Sequence, residues 1–190
     1  MPVTFLDVIG ALSDSHGQVR RTADAVALLR ALGATVIVHC GDVGGAAVLD
    51  VLATVQARFV WGNTDERIGD DERYARAIGL TPPPRIPPLA LTHDSCEILV
   101  FHGHEREFAD VQRRGAPTEG NAERFVLYGH THVASVDELD GTWFVNPGAL
   151  HRAGRYTVAT IEPAAARIRH YAVLPRGPSD PLPQPLPLPL

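Results

Sequence analysis

The stretch Phe125-Val126-Leu127-Tyr128-Gly129-His130-Thr131-His132 runs from four apolar residues, enough for a short strand, into two histidines two positions apart. In an extended chain such residues project to the same side. Both imidazoles would then leave the strand end together, which suits a metal ion. A solvated strand can carry such a pair by chance, so the neighbouring strand ends decide between the two.

The same pattern recurs upstream. The buried-type run Val8-Ile9-Gly10-Ala11-Leu12-Ser13 ends in Asp14-Ser15-His16-Gly17, and the β-branched run Thr35-Val36-Ile37-Val38-His39-Cys40 ends in Gly41-Asp42. Ala57-Arg58-Phe59-Val60-Trp61 leads to Gly62-Asn63-Thr64-Asp65, and Glu97 to Phe101 leads to His102-Gly103-His104. Between them, Val19, Ala23, Val26 and Leu29 have helical spacing, Gly33 ends that helix, and Ala46 to Val55 forms a second. Strands alternating with helices imply a sheet with parallel strands, whose ligands bind beyond the strands' carboxyl ends. Each cluster also has a plainer use. Asp14 would serve as a cap for the helix near Gln18, and Gly62 to Asp65 is ordinary turn composition. His39, inside its strand, reads as a hydrogen-bonded core histidine, and Cys40 as packing.

Farther along, Glu66 to Leu80 is charged and reads as a surface helix or lid, and Thr81 to Pro88 is a proline-rich connector. Hairpins then take over: Leu89 to Thr92 with Glu97 to Phe101 around His93-Asp94-Ser95, and Val133 to Val136 with Thr142 to Val145 around Asp140-Gly141. A helix over Glu105 to Arg114 and a loop from Gly115 to Asn121 separate them. The loop Asn146 to Arg152 precedes a last hairpin, Tyr156 to Ile161 with Arg167 to Val173. Residues 1–174 therefore read as one domain. The final sixteen residues contain seven prolines, so 175–190 reads as a disordered or polyproline tail.

Composition narrows the chemistry. All 17 basic residues are arginine, so mechanisms needing a lysine, such as a P-loop cradle or a Schiff base, are excluded. An anion gripped by a side chain must meet Arg or His. The net charge of −5 and the lack of a basic block argue against a nucleic-acid backbone as main partner. No apolar run has the length of a membrane span and no signal-peptide pattern opens the chain, so a cytoplasmic location is expected. Cys40 and Cys96 are expected to be reduced.

Asp14-x-His16, Gly41-Asp42, Gly62-Asn63-x-Asp65, His102-Gly-His104 and Gly129-His-Thr-His132, in this order, resemble the calcineurin-like metallophosphoesterase family. The likeness is to its small bacterial and archaeal phosphodiesterases of the YfcE type, and it spans residues 8 to about 150. No single cluster is specific; five in order are. The resemblance implies a four-layer α/β/β/α sandwich of two mixed β-sheets flanked by helices. It implies two divalent ions, Mn²⁺ first, with Fe, Zn²⁺ or Ni²⁺ as alternatives. Asp14, His16, Asp42 and His132 would hold one ion; Asp42, Asn63, His102 and His130 would hold the other, with Asp42 bridging. The ions would share a water and present it in line to phosphorus, so Asp14, Asp42, Asn63 and His102 would act through that water.

Around these ligands the expectations are less specific. Asp65 is expected to orient a neighbouring histidine. His104, His151 and Arg152 are candidates for substrate contact. Many larger relatives carry a leaving-group histidine where this chain has Thr64, which cannot serve as an acid near neutral pH. That favours diesters over monoesters and lowers a dinucleoside polyphosphate hydrolase reading. A Vps29-like protein scaffold is the other alternative, but such a scaffold has no physical reason to keep seven ligand positions. The expected partner is a phosphate ester, with homodimerisation common in such proteins.

Overall fold

Alternation along each central strand divides its side chains between two cores. In β1 (Val8–Leu12), Ile9 and Ala11 face one core while Leu12 faces another. The first core also takes Val38 of β2 (Ala34–His39), Ile98 and Val100 of β5 (Cys96–Val100), and Phe125 and Leu127 of β6 (Arg124–Leu127). These come from two different sheets, so this core is the layer between them. Fully burying each of its larger side chains contributes about 1.5–3 kcal/mol.

The computed structural model describes residues 8–93, 96–114, 124–175 and 181–187. One sheet has the order β10-β9-β1-β2-β3, built from β1 and β2 with β3 (Ala57–Phe59), β9 (Thr157–Glu162) and β10 (Arg167–Ala172). Here β1, β2 and β3 are parallel, and β9 joins β1 antiparallel. The other sheet has the order β4-β5-β6-β8-β7, with β4 (Leu89–His93), β7 (Ser135–Leu139) and β8 (Thr142–Asn146). Its centre is parallel: β5 pairs β6, and β6 pairs β8.

Helices α1 (Val19–Ala31), α2 (Ala46–Leu52) and α3 (Ile68–Ala77) cover the outer face of the first sheet. Their buried side chains include Ala25, Val26, Leu28 and Leu29 of α1, Val48 and Leu49 of α2, and Ala75 of α3. Helix α4 (Arg106–Arg114) covers the second sheet through Phe108, which meets Phe101 and Tyr128. The result is the expected four-layer α/β/β/α sandwich of two mixed sheets.

Local differences have local causes. β3 stops at Phe59 rather than Trp61, because pairing with β2 ends where β2 ends, at His39. The strand expected from Val133 begins at Ser135, in register with Asn146. The expected hairpin turn at Asp94-Ser95 and the loop Gly115 to Asn121 lie outside the described residues. Of the proline-rich tail, Leu186 donates its N–H to the His170 carbonyl at 2.8 Å, beside the edge strand β10. Among the described residues no helix is long and apolar enough to cross a membrane.

Candidate metal centre

The loops leaving β1 and β2 are fastened to each other by their backbones. Asp14 donates to the Gly41 carbonyl at 3.0 Å, His16 to the Asp42 carbonyl at 2.9 Å and Gly17 to the Val43 carbonyl at 3.1 Å. Asp14, His16 and Asp42 have φ of 52°, 42° and 53°, and His130 and His132 have 66° and 61°. All five are left-handed, a conformation costing a non-glycine residue about 1–3 kcal/mol. This corrects the strand-alternation argument. β1 ends at Leu12 and β6 at Leu127, so neither Asp14/His16 nor His130/His132 is in extended chain. Tight left-handed loops, not strand pleat, converge these side chains. Asp14 is also no helix cap: the residue ahead of α1 is Gln18, which makes no side-chain cap bond.

Asp14 is fully buried. Its Oδ2 accepts the His130 N–H at 3.1 Å, while Oδ1 lies 3.2 Å from His132 Nε2 and 4.0 Å from His16 Nε2 without a hydrogen-bond partner. Burial raises this carboxyl above its usual range despite the nearby Ser13 hydroxyl and the His102 and His132 imidazoles. Asp42 Oδ1 accepts the Thr64 N–H at 3.0 Å, and Oδ2 lies 3.3 Å from His16 Nε2 and 3.4 Å from His102 Nε2. Burial works to raise the Asp42 carboxyl as well, but His102 and Thr64 outweigh it and hold it well below the usual range.

His102 Nδ1 lies 2.8 Å from the Cys40 carbonyl and must donate to it, which leaves the Nε2 lone pair aimed at oxygen: Asp42 Oδ2 and, at 3.1 Å, Asn63 Oδ1. Acceptors facing acceptors need a positive centre between them. Burial alone would lower the His102 pKa; the Asp42 carboxylate and the Cys40 carbonyl raise it, so a proton and a cation compete for one position. Together with the orphaned Asp14 Oδ1 and His16 Nε2, this donor set fits a divalent cation. Two triads have ligand atoms within 4.8 Å of one another: Asp14, His16, His132 and Asp14, Asp42, His102. Asn63 adjoins the second through His102. His130 is in neither, though its ring centroid lies 5.2 Å from that of His102.

The supporting contacts differ from expectation at one expected residue. Asp65 orients no histidine; its carboxylate accepts N–H bonds from Val43 (3.2 Å), Gly44 (2.9 Å) and Gly62 (2.8 Å), tying the Asp42 loop to the Asn63 loop. A buried carboxylate ringed by backbone amides serves as a clamp. Gly62 is required there, since a Cβ would overlap the Asp42 carboxylate, and Gly129 likewise abuts Ser13 and Asp14. Asn146 donates Nδ2 to the Gly129 carbonyl at 2.8 Å and to Thr131 Oγ1 at 3.0 Å, anchoring the histidine pair. His39, as expected, is a core residue: Nδ1 accepts the Gly41 N–H, so Nε2 donates to Ser15 Oγ at 2.7 Å. The Cys40 thiol is buried, free and pushed up by burial.

Four further residues border the cluster. Thr64 Oγ1 is 3.4 Å from His16 Nδ1, and the His151 ring is 5.0 Å from that of His16. Arg152 shares a surface depression with His151 and His130. His104 is exposed, with its ring 5.4 Å from that of His102. Two supports escaped the sequence. Arg21 donates to the Leu150 carbonyl at 2.5 Å while its guanidinium stacks 3.6 Å over Tyr156, a contact across 129 residues that no local pattern announces. Glu105 accepts the N–H groups of His102 and Gly103 at 2.7 and 2.6 Å, and its place just ahead of α4 was the available signal.

Carboxylates and imidazoles gathered at one edge of an α/β/β/α sandwich define a metal-binding protein of phosphoesterase type. The chain belongs to the calcineurin-like phosphoesterase superfamily, whose domain matches residues 8–165. It is 28% identical over 173 residues to the probable metallophosphoesterase YsnB of Bacillus subtilis, covering 84% of this chain and 88% of YsnB. Its fold is similar to that of an archaeal phosphodiesterase (TM-score 0.72, 20% identity, 87% of this chain and 99% of the other). It is also similar to that of the phosphoesterase YfcE from E. coli (TM-score 0.62, 21% identity, 88% and 100%).

Proposed function

We propose that the protein is a phosphodiesterase dependent on two divalent cations, which cleaves a P–O bond by in-line attack of water. The observation that carries this reading is the Asp42 carboxylate, with Oδ2 3.3 Å from His16 Nε2 and 3.4 Å from His102 Nε2. One oxygen facing two imidazoles from different loops suits a bridging ligand. Asp14, His16, Asp42 and His132 would hold one cation, and Asp42, Asn63, His102 and His130 the other. Bound by these residues, such cations would supply a lowered pKa for a neighbouring water and a counter-charge for phosphoryl oxygens.

The chain's own groups set the rest. The Cys40 carbonyl fixes the His102 tautomer, keeping Nε2 free to ligate. The Asp65 clamp and Asn146 hold Asp42, Asn63 and the His130 loop in place. With no lysine in the chain, Arg152 and His151 are the groups at hand for phosphate binding. Burial and the neighbouring His16 and Arg152 lower the His151 pKa, which favours its neutral form. Thr64 gives the leaving group no proton, which favours diesters and activated esters over monoesters.

Metal-stripped protein titrated with Mn²⁺, with bis-p-nitrophenyl phosphate hydrolysis followed and bound metal counted, tests the proposal. Activity rising as two ions bind supports it. Metal binding without turnover favours a scaffold role, and no metal binding overturns the ligand assignment.

A further inference from the structure

A cavity of about 400 Å³ lies directly beside the Asp42 side-chain cluster, within the size range of small-molecule sites. Val60, Trp61, Ile68, Pro83, Pro87 and Leu89 give it apolar walls. It shares Gly62 and His104 with the cluster's surroundings: Gly62 packs against the Asp42 carboxylate, and the His104 ring lies 5.4 Å from that of His102. The depression over the cluster itself is different, being lined by His16, Asn63, His130, His132, Arg152 and other polar groups. A phosphate suits the second space and an apolar group the first.

Charge narrows the occupant. Glu72 and Arg85 on the cavity wall cancel, and the Glu105 carboxylate is already taken by two backbone amides. A second phosphate would find no excess positive charge. Trp61 supplies an aromatic wall. We infer that this cavity seats a neutral aromatic group esterified to the phosphate that lies over the Asp42 cluster. This rests on the phosphodiesterase reading and names its substrate class: diesters with at least one flat, uncharged aromatic substituent.

Calorimetric titration of Mn²⁺-loaded protein with benzylphosphonate and methylphosphonate tests this apart from turnover, because both carry the same head group and neither is hydrolysed. The benzyl compound should bind at least about tenfold more tightly. That preference should fall about fivefold or more in Ile68→Glu, which puts an anion on the wall from an exposed position of α3, and in Trp61→Leu, which removes the aromatic wall but keeps an apolar side chain. Equal affinities, no binding of either compound, or a preference unmoved by both variants would overturn the assignment. Turnover of bis-p-nitrophenyl phosphate, measured on the same protein, judges the phosphodiesterase reading separately.

Discussion

Gly62 donates its amide N–H to Asp65 Oδ2 at 2.8 Å, and the same carboxylate holds the amides of Val43 and Gly44 from the facing loop. The loops that carry Asp42 and Asn63, both proposed ligands, are thus joined through one side chain. Asp65→Ala leaves three N–H groups without their acceptor. The expected loss is about 2–4 kcal/mol of stability, read by urea unfolding of metal-free protein, together with weaker metal binding. A change under about 0.5 kcal/mol, the usual size at an indifferent surface site, would show that the clamp is not needed.

Asp42 faces two imidazoles and has the Thr64 amide on its other oxygen. Asp42→Ala should lose both cations and lower bis-p-nitrophenyl phosphate hydrolysis at least about hundredfold. Metal counting on the purified variant decides the matter. Two ions retained per chain would refute a bridging role.

Thr64 places Oγ1 3.4 Å from His16 Nδ1, at the open side of the cluster. A histidine at this position gains a group able to protonate a leaving oxygen, an effect commonly worth about 10²–10⁴-fold. Thr64→His should therefore speed diesters with alkoxide leaving groups by about tenfold or more and barely change p-nitrophenyl esters, whose leaving group needs no proton. Equal effects on both would place the acid elsewhere.

Much of this was legible before the structure. The apolar runs ending in Asp14, Asp42, Asn63, His102 and His130 announced both the strands and the edge at which the donors meet, because buried strands and polar strand ends are local signals. The backbone conformation of the donors was not legible. Left-handed φ at Asp14, His16, Asp42, His130 and His132 follows from the pairing of one loop with another, which has no local signature. Strand alternation therefore predicted the right neighbours by the wrong geometry. The Asp65 clamp, the reach of Arg21 to Leu150 and the pairing of β6 with β8 rather than β7 are likewise long-range contacts. The apolar cavity escaped for the same reason: its walls come from β3's end, α3 and the proline connector, which only the fold assembles.

His39 gives a prediction about pH for the metal-free protein. It is fully buried, donates to Ser15, accepts from Gly41, and has its pKa lowered to about 3, chiefly by burial and then by the positive fields of His102 and His16. The unfolded chain protonates this histidine near its ordinary 6.5. Between pH 6.5 and about 3 the unfolded state therefore binds the extra proton, so stability falls as pH falls through that window, by up to about 1.4 kcal/mol per unit. His170, whose pKa is also lowered by burial, acts in the same direction. Asp14, raised by burial, acts in the opposite one, since its folded form takes up the proton first as pH falls. The His39 share is isolated by comparing wild type with His39→Gln in urea unfolding at pH 7.5, 6.0 and 5.0 with a chelator present. The variant should be less stable at pH 7.5, where the Ser15 and Gly41 bonds are lost or weakened, yet lose less on acidification. Parallel stability curves for the two proteins would mean that His39 takes up its proton as readily in the fold as outside it.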